Sequence, residues 1–347
     1  PQPTQCTYAE TPIADNCTSG CGILTANVTF IPDGMSLDDC VNIPSYSCLE
    51  NDGECVMASE IDKWARKTYA ANFGETPRGD ITQIKTMDIP DVDLITAGFP
   101  CQSFSSIGLR KGFEDEKKGT LFWEIIRIAK AKQPQMLLLE NVRGLLSINK
   151  GATMKTILHS LEEIGYTVFY EVLNSKDFLV PQSRPRLFFA CFRDDIAPPS
   201  FKFPTPTGSI GIGQFIESDA KGYDVSEKLQ NGSLLRRGVA ALDAACVDSA
   251  STAPIRCLCS SYHKVQLMTS SFVRDGKTGL RLLTSGECLA AQGFPTDFIL
   301  PCSRTQTYIQ LGNSVTVPVV SSILKNMLAA RSQVAVQEQV AKRRRTH

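Results

Sequence analysis

The sequence predicts an α/β protein with a parallel sheet covered by helices on both faces, followed by a second, smaller domain. Short, continuously apolar runs alternate with helical patterns between residues 55 and 192, which is typical of parallel strands buried on both faces. After Phe192 the chain becomes rich in Pro, Gly, Ser and Asp, with weak strand signals as far as residue 265. This change of composition indicates a looser second domain.

The predicted elements follow in order from residue 55, whereas residues 1–50 show no periodicity that assigns them. The clearest helix is predicted over 119–132, because Leu121, Ile125 and Ile128 recur on one face. An apolar helix over 315–330 is expected to return to the first domain, since its apolar surface is too large to stand alone. The remaining predictions are strands over 55–59, 93–97, 136–139, 167–173, 187–192, 256–260, 268–273 and 280–283, and helices over 61–72 and 153–164.

Composition restricts the class of protein without identifying a partner. Lys and Arg together number 36, as do Asp and Glu, so the zero net charge neither favours nor excludes nucleic acid. No apolar run reaches the ~18 residues of a membrane helix, so no membrane association is expected. From Cys101 onward the cysteines are scattered without Cys-x-x-Cys pairs, which indicates reduced thiols in a cytoplasmic protein and no metal site.

Three short motifs carry the chemistry of the first domain. A thiol, Cys101, and a carboxylate, Glu140, each follow a predicted strand, and the carboxyl ends of parallel strands form the ligand-binding edge of a sheet. Arg184 and Arg186 add two guanidinium groups, which suit planar and anionic partners. Each motif alone is common in structural roles, but together and in this order they indicate a catalytic site.

Further stretches accompany these motifs, and together they resemble DNA (cytosine-5)-methyltransferases, in particular bacterial restriction-modification methylases. The resemblance covers Gly53 to Asp195 and resumes from Arg281 to Val315. It implies a Rossmann-like, S-adenosylmethionine-dependent methyltransferase fold with a second, smaller target-recognition domain, and DNA in the cleft between the two. The matching stretches include Asn72-Phe73-Gly74-Glu75, Gly79-Asp80-Ile81-Thr82, Ala97 to Ser105, Gly119-Thr120-Leu121-Phe122, Glu140-Asn141-Val142, Gln182 to Arg186, Gln292-Gly293-Phe294-Pro295 and Gln310 to Val315.

The resemblance also implies a reaction and the residues that perform it. The Cys101 thiolate would add to C6 of a flipped-out cytosine, which makes C5 a nucleophile for the methyl group of S-adenosylmethionine. Glu140 would protonate N3, and Arg184 and Arg186 would hold the base and a neighbouring phosphate. The implied substrate-binding residues are Gln102, Ser103 and Gln182, and the implied cofactor-binding residues are Glu60, Asp80, Ile81, Pro100, Asn313 and Val315.

By the same resemblance we expect a monomer in the bacterial cytoplasm, associated with the nucleoid. Its expected partners are double-stranded DNA and a cognate restriction endonuclease. The expected divisions of the chain are an unassigned, atypical segment 1–50, a catalytic domain 51–195, a target-recognition domain 196–300, a return to the catalytic domain over 301–332 and a basic tail 333–347.

One departure from the family pattern bears on activity. The glycine-rich cofactor loop should lie about 20 residues before Glu60, but residues 35–46 contain no glycine pair. Our hypothesis for this departure is a reading-frame or gene-model error upstream of about Leu49. The departure leaves open an impaired enzyme, or a cofactor-deficient relative that binds DNA without methylating it. A methylase of RNA is a further alternative, although Gly98-Phe99-Pro100-Cys101 favours DNA, because the RNA branch usually carries Pro-Pro-Cys-Gln.

Overall fold

The computed structural model describes residues 55–99, 121–275 and 278–345. Four predicted site residues therefore lie outside the described residues: Pro100, Cys101, Gln102 and Ser103. The prediction for residues 1–50 also lies outside them. The strands are β1 Leu94–Gly98, β2 Met136–Val142, β3 Tyr166–Asn174, β4 Pro185–Arg193, β5 Cys246–Val247 and β6 Phe272–Val273. The helices are α1 Lys63–Phe73, α2 Leu121–Lys132, α3 Ala152–Glu162, α4 Glu227–Leu229, α5 Val239–Asp243, α6 Ser285–Gln292, α7 Arg304–Asn313 and α8 Val317–Arg345.

The central sheet is mixed rather than parallel. Its strand order is β1-β2-β4-β3, with β1 parallel to β2, and with β4 antiparallel to both β2 and β3. The prediction of a parallel sheet is therefore confirmed for β1 and β2 and wrong for β4, which runs antiparallel to both of its neighbours. The connection from β3 to β4 spans only residues 175–184, which is shorter than the dozen or more residues that a parallel crossover requires.

Three of the predicted strands, over 55–59, 256–260 and 280–283, are not formed as strands. The predicted strand over 55–59 contains only the bridge of Ser59 with Arg78, because the chain then turns into α1, whose N-cap is Asp62. In the second domain β6 lies inside the predicted 268–273, whereas 256–260 and 280–283 form no strand. Side chains satisfy part of the 256–260 backbone instead: the Leu258 amide donates to Gln182 Oε1 at 2.7 Å. The predicted helix over 315–330 is longer than expected and runs to Arg345.

Both faces of the sheet are covered along β1, β2 and β4, where successive side chains point to opposite faces and most of them are buried. On one face Ile95, Leu137 and Phe189 belong to an apolar cluster that includes α2 and α3. On the other face Leu138 and Phe188 belong to a cluster that includes α8. The apolar side chains that α8 contributes are Val319, Val320, Ile323, Leu324 and Met327. These two layers hold the ends of β1 and β2 in place.

A separate apolar cluster is built mainly from residues 212–317. Next to this cluster the buried side chains of Arg281 and Glu287 form a bidentate ion pair, with N–O distances of 2.9 and 2.8 Å. Glu287 also completes the N-terminal capping box of α6 with Thr284. This pair fixes the start of α6, and α6 packs beside α7. Within the described ranges, no helix has the length and apolarity needed to cross a bilayer.

Candidate active site

The carboxyl ends of β1 and β2 lie side by side, with Gly98 paired to Glu140. Directly after this pair, the Asn141 side chain donates a hydrogen bond to the Phe99 carbonyl at 2.7 Å, and Asn141 is buried. Phe99 immediately precedes the Pro100-Cys101 motif, which lies outside the described residues. Asn141 therefore fixes the point from which the chain enters that motif. Sequence reasoning assigned Asn141 no role, although an amide directly after the acid was a signal for one.

Glu140 and Arg186 form an ion pair at this edge. Arg186 Nε lies 3.0 Å from Glu140 Oε1, and their side chains are 16% and 20% exposed. Arg186 reaches Glu140 because β4 runs antiparallel to β2, which places Arg186 opposite Val142. Burial raises the pKa of Glu140, although the Arg186 and Arg184 guanidiniums oppose this effect. The site therefore holds a carboxyl group that is predisposed to carry a proton.

Arg184 is almost fully buried, and its guanidinium donates hydrogen bonds to backbone carbonyls of the protein. Nη1 donates to the Leu258 carbonyl at 2.7 Å, and Nη2 donates to the carbonyls of Gly312 and Ser314 at 2.9 and 2.7 Å. Arg184 thus joins three chain segments: the start of β4, the 257–259 segment and the end of α7. Of the two guanidiniums that the sequence presents as equivalent, only that of Arg186 contacts Glu140 in the described residues.

Gln182 is fully buried, and it contacts the same residue, Leu258, as Arg184 does. Its Nε2 donates to the Ala291 carbonyl at 2.6 Å, and its Oε1 accepts from the Leu258 amide at 2.7 Å. Both ends of the amide are therefore used inside the protein, between α6 and the 257–259 segment. The structure places Gln182 under the site rather than on its surface.

The predicted cofactor residues occupy two places. Glu60 is 2% exposed, and its Oε1 accepts from the Asp62 amide at 2.8 Å, while Oε2 is buried without a hydrogen-bond partner. Burial raises the pKa of Glu60 to about 7. Asp80 caps the short 3₁₀ turn Ile81–Gln83 through its Oδ1, which accepts from the Thr82 amide at 2.9 Å. Ile81 is buried in the apolar cluster under α2.

Asn313 and Val315 face a cavity of about 240 Å³, together with Glu140, Arg184 and Arg186. The structure thus brings five of the predicted residues around one cavity at the carboxyl edge of the sheet. Glu60, Asp80, Ile81 and Gln182 are not part of its lining. The apolar wall of the cavity includes Tyr69, Phe73, Phe294, Phe298 and Leu300.

Two features bear on which ligands the described residues can bind. In the part of the chain that the structure describes, no cluster of three His, Cys, Asp or Glu side chains could hold a metal ion. The unpaired Oε2 of Glu60 fits a hydroxyl donor, because a buried carboxylate oxygen without a partner is costly. A ribose of the methyl donor offers such hydroxyl groups.

A family model of C-5 cytosine-specific DNA methylases matches residues 41–329. The chain belongs to this family. The methyltransferase M.MspI of Moraxella sp is 46% identical over 287 residues, which cover 82% of this chain and 67% of that protein. M.NlaX of Neisseria lactamica is 42% identical over 293 residues, which cover 82% of this chain and 92% of that protein. Both relatives are named type II methyltransferases.

Solved structures share the fold. DNMT2 of Spodoptera frugiperda superposes with a TM-score of 0.64 at 24% identity, covering 80% of this chain and 93% of that one. The predicted family, the methyltransferase fold and the enzyme class are thereby confirmed. The chain is a DNA (cytosine-5-)-methyltransferase of the bacterial restriction-modification type, and its family uses S-adenosylmethionine as methyl donor. These similarities do not favour a DNA-binding relative without activity or a methylase of RNA.

Proposed function

We propose that this methyltransferase acts through a covalent adduct between Cys101 and C6 of a cytosine flipped out of double-stranded DNA. The observation that carries the proposal is the position of Glu140, a carboxyl of raised pKa at the end of β2. It is paired with Gly98, three residues before Cys101 in the sequence. A proton donor and the chain that leads to a nucleophile thus meet at one edge of the sheet.

Each side chain has a separate task in this mechanism. Glu140 delivers a proton to ring N3, which makes C6 more electrophilic toward the Cys101 thiolate. Arg186 holds the Glu140 carboxyl in place through the 3.0 Å contact at Oε1. Arg184 positions the segments around the base, because its own hydrogen bonds are made to backbone carbonyls. For Gln182 we propose the same supporting role, and for Gln102 and Ser103 contacts with the substrate.

When bound, S-adenosylmethionine supplies the methyl group that C5 receives. Glu60 would accept the ribose hydroxyl groups, which would give its buried Oε2 a partner. Asp80 and Ile81 would lie beside the adenine. Pro100, Asn313 and Val315 would lie beside the methionine end, and the last two already line the cavity next to Glu140.

The remaining proposals concern the division of the chain and its surroundings. Residues 51–195 and 301–332 would form the catalytic domain, and 196–300 the target-recognition domain, with DNA between them. The separate apolar cluster around residues 212–317 supports a second folding unit. The basic tail over 333–347 would lie outside both domains. The enzyme would act as a monomer on nucleoid DNA in the cytoplasm, alongside a cognate endonuclease.

Trapping with a fluorinated substrate tests the proposed adduct. A duplex that carries 5-fluorocytosine at the target position, mixed with S-adenosylmethionine, should form a stable complex whose mass identifies Cys101, because the fluorine cannot leave as a proton does. Cys101→Ser should bind the duplex without forming the complex, whereas the control Cys302→Ser should form it normally. A complex attached to any other residue, or a complex formed by Cys101→Ser, would refute the mechanism.

A further inference from the structure

A second sulfur lies against the arginines of the site. Arg184 Nη1 donates to Cys257 Sγ at 3.3 Å, and Arg186 Nη2 lies 3.8 Å from the same sulfur. Cys257 is half-buried and belongs to the segment that Arg184 and Gln182 hold at Leu258. Its neighbour Cys259 donates to the Cys257 carbonyl at 3.4 Å. No part of the proposed methylation mechanism uses either thiol.

The charges around this sulfur favour an anion. Two guanidiniums face it from the beginning of β4, and the nearby carboxyl, Glu140, is engaged by Arg186. When Glu140 carries the proton that methylation requires, the two cations have no carboxylate between them. The nearby Cys259 side chain, together with the charges of Arg184 and Arg186, holds the pKa of the Cys257 thiol well below its usual range.

We propose that Cys257 is a second reactive thiolate of this enzyme, the counter-charge of Arg184 and Arg186, and a site at which hydroperoxides modify it. In the reaction the Cys257 sulfur attacks the terminal, hydrogen-bearing peroxide oxygen. The S–O bond forms as the O–O bond breaks, and the sulfur loses two electrons. The other oxygen leaves as hydroxide from hydrogen peroxide or as alkoxide from an organic hydroperoxide, and protonation converts it to water or an alcohol. The product is a sulfenic acid on Cys257.

Oxidation of Cys257 should weaken the binding of the flipped base at the site, because it replaces an anion with a neutral, larger group. Arg186 then loses its sulfur partner beside the ion pair with Glu140. This consequence for methylation rests on the proposed function, whereas the reactivity of the thiol does not. The two parts therefore need separate measurements.

The first measurement determines reactivity in Cys101→Ser, which removes the catalytic thiol from the reaction. Iodoacetamide alkylation is followed at each cysteine by peptide mass spectrometry between about pH 6.5 and pH 8, with an unstructured cysteine peptide in parallel. A thiol of ordinary pKa accelerates roughly 25-fold over this range, whereas Cys257 should accelerate by less than about half that factor, because a lowered pKa leaves a larger share of the thiol ionised at the start of the range. The ratio does not depend on how accessible the sulfur is. A Cys257 rate that rises with pH like that of the peptide would overturn the proposal.

Two variants link the reactivity to its cause. Arg186→Gln in the Cys101→Ser background should restore part of the pH dependence at Cys257, provided that its thermal unfolding matches that of the parent. Hydrogen peroxide followed by dimedone should label Cys257 at least about tenfold faster than Cys302. The Cys302 sulfur lies near the Trp64 carbonyl and the Thr68 hydroxyl instead of a guanidinium. Equal labelling of Cys257 and Cys302 would contradict the proposal.

The second measurement reports the effect on the site. In Cys101→Ser, base flipping is followed by the fluorescence of 2-aminopurine at the target position, before and after peroxide treatment. We expect a reversible loss of flipping that dithiothreitol restores, and no loss in the double variant Cys101→Ser/Cys257→Ser. Labelling of Cys257 without a change in flipping would refute the coupling to the proposed function while leaving the reactive thiolate intact. A loss of flipping that persists in the double variant would assign the peroxide effect to another residue.

Discussion

Glu60 makes a pH-dependent contribution to stability that can be calculated from its burial. The side chain is 2% exposed, and burial raises its pKa from 4.5 to about 7. The folded protein therefore holds this proton more tightly than the unfolded chain does. The contribution of Glu60 to the free energy of unfolding is fully present below pH 4.5. It is lost as the pH rises toward 7, because the buried carboxyl group must then ionise.

Glu60→Gln removes this titration while preserving the shape of the side chain. From the two pKa values, the ionisation penalty in the wild type is about 1 kcal/mol at pH 5 and about 3 kcal/mol at pH 8. The free energy of unfolding of the variant relative to the wild type should thus increase by about 2 kcal/mol between these pH values. Any constant cost of the buried amide cancels in this difference.

Urea unfolding at several pH values, in the absence of the methyl donor, measures the effect. The matched control is Glu162→Gln, an exposed glutamate at the end of α3, which should show little change with pH. A Glu60→Gln variant whose relative stability does not change between pH 5 and pH 8 would refute the reasoning about burial. The same variant should bind labelled S-adenosylmethionine more weakly, since it loses a carboxylate that can accept two hydroxyl donors.

Three further predictions concern the site and its support. Glu140→Gln should slow single-turnover methylation by about 10²–10⁴-fold. The methylation rate of the wild type should decline at high pH as Glu140 loses its proton, and the rate of the variant should lack this decline. A variant whose pH–rate profile matches that of the wild type would remove Glu140 from the acid role. Asn141→Ala should lower kcat more than it changes KM for DNA, because the Phe99 carbonyl loses its hydrogen-bond partner at 2.7 Å. The control is Asn326→Ala, which removes an exposed hydrogen bond to the Lys202 carbonyl and should leave kcat unchanged. Glu287→Ala should destabilise the protein by about 3–5 kcal/mol, since the buried Arg281 guanidinium loses its bidentate partner and keeps only the 3.3 Å contact with Asp275. Calorimetry showing a loss below about 1 kcal/mol would contradict the importance of this pair.

Local patterns predicted the first half of the central sheet well. The strand over 93–97 and the strand over 136–139 are observed as Leu94–Gly98 and Met136–Val142. Continuous apolar runs specify such strands because both faces of the sheet are covered. The direction of β4 was wrongly predicted, because an apolar run does not encode the strand beside which it will pair. That choice depended on the short 175–184 connection.

The sequence by itself determined the family, the reaction class and the order of the motifs, because these depend on which residues follow which strands. Only the tertiary structure distinguished Arg186, which contacts Glu140, from Arg184, which joins backbone segments. Only the fold brings Cys257 to Arg184, across 73 positions of the chain. Burial and electrostatic interaction depend on distance in space, and no spacing along the sequence encodes that distance until the chain has folded.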